Sequence, residues 1–193
     1  MVQDRSERRL WWRHLISVLL FPATMTLVIP AWIVFPAGVR TSELGAVAMF
    51  GLVTAGSLLI AGGLAMLIWT VVLFHREGKG TLGLGKVMGE PVHLVVRGPY
   101  RHVRNPMISG VLCILLGEAA ITASGGLLTW FASFLALQAI AIWFWEEPHL
   151  SERYGEEYLN YRRNVPRWIP RISAWEPSHA VDPFAAGHHG GQR

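Results

Sequence analysis

The chain has 193 residues, 52% of them hydrophobic and only 16% charged, with a mean hydropathy of +0.35. Soluble domains carry about 25% charged residues, so this composition excludes an ordinary water-soluble enzyme. The formal net charge of +4 reads as membrane topology and attraction to anionic lipid rather than as nucleic-acid binding.

The charge deficit is concentrated in long runs. Residues 15–36 contain no charge. A bilayer core of about 30 Å needs about 20 apolar helical residues, so this run is one span. It exceeds the roughly 7–15 residues of a signal-peptide core and no small-residue cleavage site follows, which points to a retained helix. Pro22 and Pro30 are expected to kink it. Residues 44–74 are again uncharged and long enough to tilt or to protrude into the headgroups. Gly51, Ala55, Gly56, Gly62, Gly63 and Ala65 in that run allow close helix approach. A basic loop follows over 75–105. Residues 107–145 carry a single charge, Glu118, and are too long for one helix. The interruption "TASGG" at 122–126 predicts two spans joined by a tight turn. Cys113, the only cysteine, falls inside the third span and takes part in no disulfide framework.

Beyond the fourth span, "EEPHLSERYGEEYLNYRRN" reads as an amphipathic helix broken at Gly155, ending at "VPRWIP". The Pro/Gly-rich tail over 173–193 is expected to be disordered, and His188 and His189 within it make no metal site. The prediction is therefore an all-α polytopic membrane protein with about four transmembrane helices. A single domain spans 1–172 and ends in a cytoplasmic helical segment. Arginines and lysines crowd the N-terminus, the 75–105 loop and the segment after 146, and only Arg40 lies in the opposite loops. The positive-inside rule then places both termini and the middle loop in the cytoplasm. Trp11, Trp12, Trp69, Trp143 and Trp145 at the inner level, with Trp32 and Trp130 near the outer one, fit an aromatic belt. The outer loops are too short to hold a site, so chemistry belongs at the inner face.

Two constellations there carry chemical meaning. The first is "RGPYRHVRNPMISG" over 97–110. Gly98-Pro99 favours a turn; Asn105 suits an N-cap and Pro106 the first helical position. A helix N-terminus flanked by Arg101 and Arg104 attracts a carboxylate or phosphate, although arginines before a span also serve simply as anchors. The second is Glu146-Glu147 at the end of the fourth span. Carboxylates at a bilayer edge are costly unless paired or used, and the hairpin returns them to the level of Arg104. Guanidiniums facing carboxylates in one cleft suit a zwitterion. A structural Arg–Glu bridge is the alternative, and the residues alone leave both open. Gly78, Gly80 and Gly83 spell G-x-G-x-x-G, but a membrane helix precedes them where a dinucleotide fingerprint needs a strand.

Together these residues resemble the isoprenylcysteine carboxyl methyltransferase and phospholipid methyltransferase superfamily of integral membrane enzymes. The resemblance runs over 74–171 through Gly98, Tyr100, Arg104, Asn105, Pro106 and Gly110. It continues through Glu146, Glu147 and Leu150, then Tyr154-Gly155, Tyr158, Tyr161, Val165-Pro166 and Ile169-Pro170. It implies S-adenosylmethionine bound at the cytoplasmic face without a Rossmann domain, and a lipophilic acceptor entering from the bilayer, with isoprenylcysteine-type carboxylate O-methylation favoured over phospholipid or other amine N-methylation. By the same resemblance Gly98, Tyr100, Arg104, Asn105, Pro106, Glu146, Glu147 and Tyr158 hold the cofactor. Arg104, Glu147 and Arg167 serve the reaction, and Tyr158, Tyr161 and Arg167 form a lid. Asn105 departs from the family's histidine and Ile108 from a common tyrosine; His93 and His102 lie nearby, and Glu118 and Gln138 are polar candidates for an acceptor tunnel. An NADPH-dependent sterol-reductase-like enzyme and a non-catalytic scaffold or transporter are the rival expectations.

Overall fold

The computed structural model describes residues 20–37, 45–77, 94 and 96–176. Among them there is no strand; the architecture is helical throughout. The glycines at 78, 80 and 83, His93, Arg40, Trp11, Trp12 and the tail from 177 lie outside the described residues.

A first apolar helix occupies Leu20–Pro36. Its regular part is α1 (Ile29–Ala37), preceded by one wide π-turn at Thr24–Val28. The long α2 (Ala46–Glu77) comes next, and α3 (Pro106–Thr122) and α4 (Gly125–Ala141) form a hairpin. A second π-turn, Ile142–Glu146, continues α4 into α5 (Glu147–Asn164). Both π-turns end two residues before a proline, Pro30 and Pro148. A proline lacks the N–H for its i−4 carbonyl and its ring crowds that carbonyl. Widening the preceding turn relieves the crowding: the Ile29 N–H reaches Thr24 O and the Glu147 N–H reaches Ile142 O. The kink expected at Pro30 thus takes the form of a π-turn, as does the bend before Pro148, whereas the one expected at Pro22 is absent: residues 20–23 are regular helix.

The α3–α4 turn sits within the expected stretch. Ala123 adopts the left-handed conformation (φ 48°) and closes α3, and the Ser124 side chain caps α4 by accepting from the Leu127 N–H at 3.3 Å. The break at Gly155 is also present, with φ 52° and ψ −130° inside α5.

Packing is tightest between α2 and α3, which run antiparallel. A Cβ added to Gly63 would lie 2.5 Å from Gly110 O, and one added to Gly56 would lie 2.7 Å from Gly117 O. The two glycine pairs repeat at the same spacing on both helices, so the backbones touch along one seam. On the far side of α3, Val111, Leu112 and Leu115 meet Phe134 of α4. The first helix leans on α4 through Phe21 against Phe134 (6.4 Å between ring centroids) and through Trp130 Nε1, which donates to Met25 O at 3.3 Å.

The outward surfaces are apolar. Trp32, Phe35, Val47, Phe50, Ile68, Leu137 and Phe144 are all exposed. Two helical stretches, 46–73 and 125–164, are long and apolar enough to cross a bilayer, and two shorter apolar helices accompany them. Contiguous apolar surface on this scale is not tolerated in water, and helices that are apolar outside as well as inside suit a lipid environment.

Candidate functional site

The site forms where α3 begins and α5 begins, at the same end of the bundle. Gly98–Arg101 makes one 3₁₀ turn, with Gly98 at φ 52°. A Cβ at Gly98 would lie 3.3 Å from Trp69 Nε1 of α2, so glycine satisfies both the backbone angle and the close approach. Pro106 opens α3 as expected. Asn105 occupies the N-cap position, but its side chain makes no capping hydrogen bond; the expected side-chain cap is absent, and the Asn105 amide is left uncommitted to the helix.

The centre is Glu147. It is 3% exposed, and its Oε1 accepts from Arg104 Nη1 at 2.8 Å and Arg167 Nη2 at 2.7 Å. Arg162 approaches Oε2 at 3.5 Å. A buried carboxylate is tolerated only when paired, and three guanidiniums from three segments meet that demand. Arg104 Nη1 also points to the Tyr158 hydroxyl at 3.4 Å. The Arg167 guanidinium lies over the Trp143 ring, 5.6 Å from its centroid. Arg104 Nε and Arg167 Nε are buried with no partner, which leaves two donors open in an otherwise satisfied cluster.

Glu146 differs from its neighbour. It is exposed, and it makes no hydrogen bond or ion pair with the described residues, although it feels the charges of Arg104 and Arg167. The structure thus separates the expected pair: Glu147 is turned inward as a bridge, and Glu146 is an open carboxylate beside it.

The segment after α5 returns across the loop like a strap. Arg104 N donates to Pro166 O (2.9 Å), Arg171 N to His102 O (3.0 Å) and Trp175 N to Arg101 O (2.9 Å). His102 Nδ1 donates to Arg171 O at 2.8 Å, so this histidine pins the strap. Ser109 Oγ donates to Trp168 O at 3.0 Å. Trp175 and Glu176, read in the sequence as part of the tail, dock here: Trp175 packs on Tyr161 and Glu176 pairs with Arg101.

Tyr158, Tyr161 and Val165 form a second buried cluster beneath the strap. The Tyr161 hydroxyl donates to Tyr100 O at 2.8 Å. Burial of the Tyr100 phenol, and then the nearby Glu146 charge, raise its pKa above the ordinary tyrosine value. Tyr161→Phe deletes one tie between α5 and the 3₁₀ turn. An intramolecular hydrogen bond contributes about 1 kcal/mol, so thermal denaturation in detergent is expected to show a fall of about 2–4 °C.

Gly98, Tyr100, Arg104, Asn105, Pro106, Glu147, Tyr158 and Arg167 are therefore brought together in one region. Glu118 is far from it, near the opposite end of α3, with Oε2 buried and unpartnered. Arg162 was missed as a site residue. In the sequence it is one more arginine of the positive-inside set, and the Gly155 kink hides its register relative to Glu147.

A basic loop, a buried carboxylate gripped by arginines and two open guanidinium donors sit at one end of an apolar bundle. The comparisons with known proteins bear on the family. The family described as phospholipid methyltransferase matches residues 52–157. Methanethiol S-methyltransferase of Crocosphaera subtropica (strain ATCC 51142 / BH68) is 25% identical over 181 residues, covering 89% of this chain and 69% of that protein. No solved structure matches.

Proposed function

We propose, on the premise that the chain belongs to the phospholipid methyltransferase family and is a membrane methyltransferase, that it transfers a methyl group from S-adenosylmethionine to a lipophilic acceptor at the cytoplasmic membrane face. In this reading α1 to α4 and their flanking turns supply four spans, with both termini cytoplasmic. The arginine distribution and the exposed Trp143 and Trp145 at the site end support it.

The observation that carries the reading is Glu147, held by Arg104, Arg167 and Arg162 while the Nε atoms of Arg104 and Arg167 stay open. The donor set fits a ligand bearing both a carboxylate and an ammonium. The open Nε atoms, the Asn105 amide and the N-terminal N–H groups of α3 suit the carboxylate. Glu146, with its uncommitted carboxylate, suits the ammonium. When bound, S-adenosylmethionine supplies an activated methyl on a sulfonium. The residues here bind and orient it, and Tyr158, Tyr161 and the strap exclude water; holding two reactants in line supplies much of the barrier reduction.

A carboxylate acceptor of the isoprenylcysteine type needs a cationic partner and no base, a role this reading gives to Arg167. A small lipophilic thiol is the second reading, favoured by the methanethiol S-methyltransferase relative; a thiol must lose its proton, and Glu146 is the open carboxylate at hand. Calorimetry on the purified protein in lipid discs tests the main reading: S-adenosylhomocysteine is expected to bind and NADPH is not. Binding of NADPH alone would favour a reductase, and binding of neither would leave a scaffold. Incubation with methyl-labelled S-adenosylmethionine and either a prenylated cysteine or an alkyl thiol then separates the acceptors.

A further inference from the structure

The strap over 166–172 is more than a cover for the site, because it runs deeper than the residues it covers. Arg104 and Trp143 lie equally far from the Ala123–Ser124 turn along the two arms of the α3–α4 hairpin, and Arg167 sits over the Trp143 ring. Trp143, Phe144 and Trp145 are all exposed and form an aromatic collar at this level. The chain then descends past the collar. Trp168 O accepts from Ser109, one turn further into α3 than Asn105, and the Trp168 side chain packs on the core cluster of Val111, Leu112, Leu115 and Phe134. It climbs back out by Arg171, whose backbone N–H meets His102 O.

At the bottom of this descent, next to Trp168, Ile169 is 79% exposed, and Ile172, one residue beyond Arg171 on the way out, is fully exposed. Ile169 thus stands at the depth of Ser109, further into the bundle than the level marked by Arg104 and Trp143. Arg162 and Arg163, both substantially exposed, stand on the last turn of α5 just before the strap, where guanidiniums meet phosphate headgroups.

We propose that the strap is a re-entrant membrane wedge: Ile169 and Ile172 insert into the acyl chains of the bilayer, and the arginines at the end of α5 rest on anionic headgroups. The bilayer is thereby a structural partner of the site, since Arg167, which grips Glu147, lies in the same strap two residues before Ile169. The inference rests on the membrane placement of the bundle and not on the identity of the reaction, so a failure to bind S-adenosylhomocysteine would leave it standing.

Nitroxide labelling tests it in the full chain, in a Cys113→Ala background, reconstituted in discs of mixed zwitterionic and anionic phospholipid. A label at Ile172→Cys is compared with one at Leu137→Cys, on the exposed apolar face of α4, and one at Glu157→Cys, on the exposed polar face of α5. Relaxation by oxygen should exceed relaxation by a water-soluble nickel chelate at 172, as at 137. Dominance of the nickel chelate at 172, as at 157, overturns the proposal. Should the 172 variant fail to fold, a label at Ile169→Cys decides by the same criterion.

Discussion

Glu147→Gln is expected to destabilise the protein by about 3–5 kcal/mol, the usual cost of leaving a buried ion pair with one partner removed. It is also expected to weaken S-adenosylhomocysteine binding at least about a hundredfold, or roughly 3 kcal/mol. The reason is geometric. Arg104 enters from the loop before α3, Arg167 from the strap and Arg162 from α5, and Glu147 is the anion on which all three converge. An amide in its place keeps the shape and loses the charge, so two largely buried guanidiniums repel where they had been bridged. Arg104→Lys discriminates a binding site from a mere bridge. Lysine keeps the positive charge beside Glu147, so most of the stability should remain. It has no Nε, so the open donor disappears and ligand affinity should still fall about tenfold. Thermal denaturation and calorimetry on the same samples read both quantities; affinity unchanged in Arg104→Lys and in Glu147→Gln at temperatures where each is folded would reduce the cluster to a structural bridge.

The outline of this site was legible in the sequence because its parts are local signals. The turn at 122–126 had its glycines and its capping serine, Pro106 marked the start of α3, and Gly155 marked the break in α5. Those signals set the hairpin, and the hairpin brings Arg104 level with the two glutamates. What could not be read is which glutamate turns inward. Glu146 and Glu147 differ by about 100° around a regular helix, but the π-turn at Ile142–Glu146 inserts an extra residue and rotates the following face by a similar amount. Hydrophobic periodicity counted from α4 therefore loses its phase just where it is needed. The same holds for Arg162, whose position relative to Glu147 depends on a non-helical residue between them. The strap's contacts were hidden for a different reason. They are backbone hydrogen bonds between segments distant in sequence, such as Arg104 with Pro166 and Arg171 with His102, and backbone pairing outside regular structure leaves no side-chain pattern.

Two adjacent glycines in α2 are expected to respond in opposite directions to an added side chain, and the difference reports on how the site is supported. At Gly63 a Cβ would lie 2.5 Å from Gly110 O and 2.8 Å from Ile114 Cγ1, and the first of these neighbours is backbone that has no rotamer to give. Gly63→Val must push α2 away from α3 along the seam shared with Gly56 and Gly117. Overpacking typically costs about 1–3 kcal/mol, and a backbone clash in a close-packed helix pair belongs at or above the top of that range. Gly62 has nothing within 4 Å of the same added atom, so Gly62→Ala should be neutral or stabilising by up to about 1 kcal/mol from helix propensity alone. The consequence reaches the site through α2, because Trp69 and Leu73 form the wall against which the Gly98 turn is set. Gly63→Val should therefore lower both the folded yield in detergent and the ligand affinity of the fraction that folds, whereas Gly62→Ala should leave affinity untouched. Equal behaviour of the two variants would mean that α2 does not meet α3 through this face, and the support inferred for the 98–106 loop would fall with it.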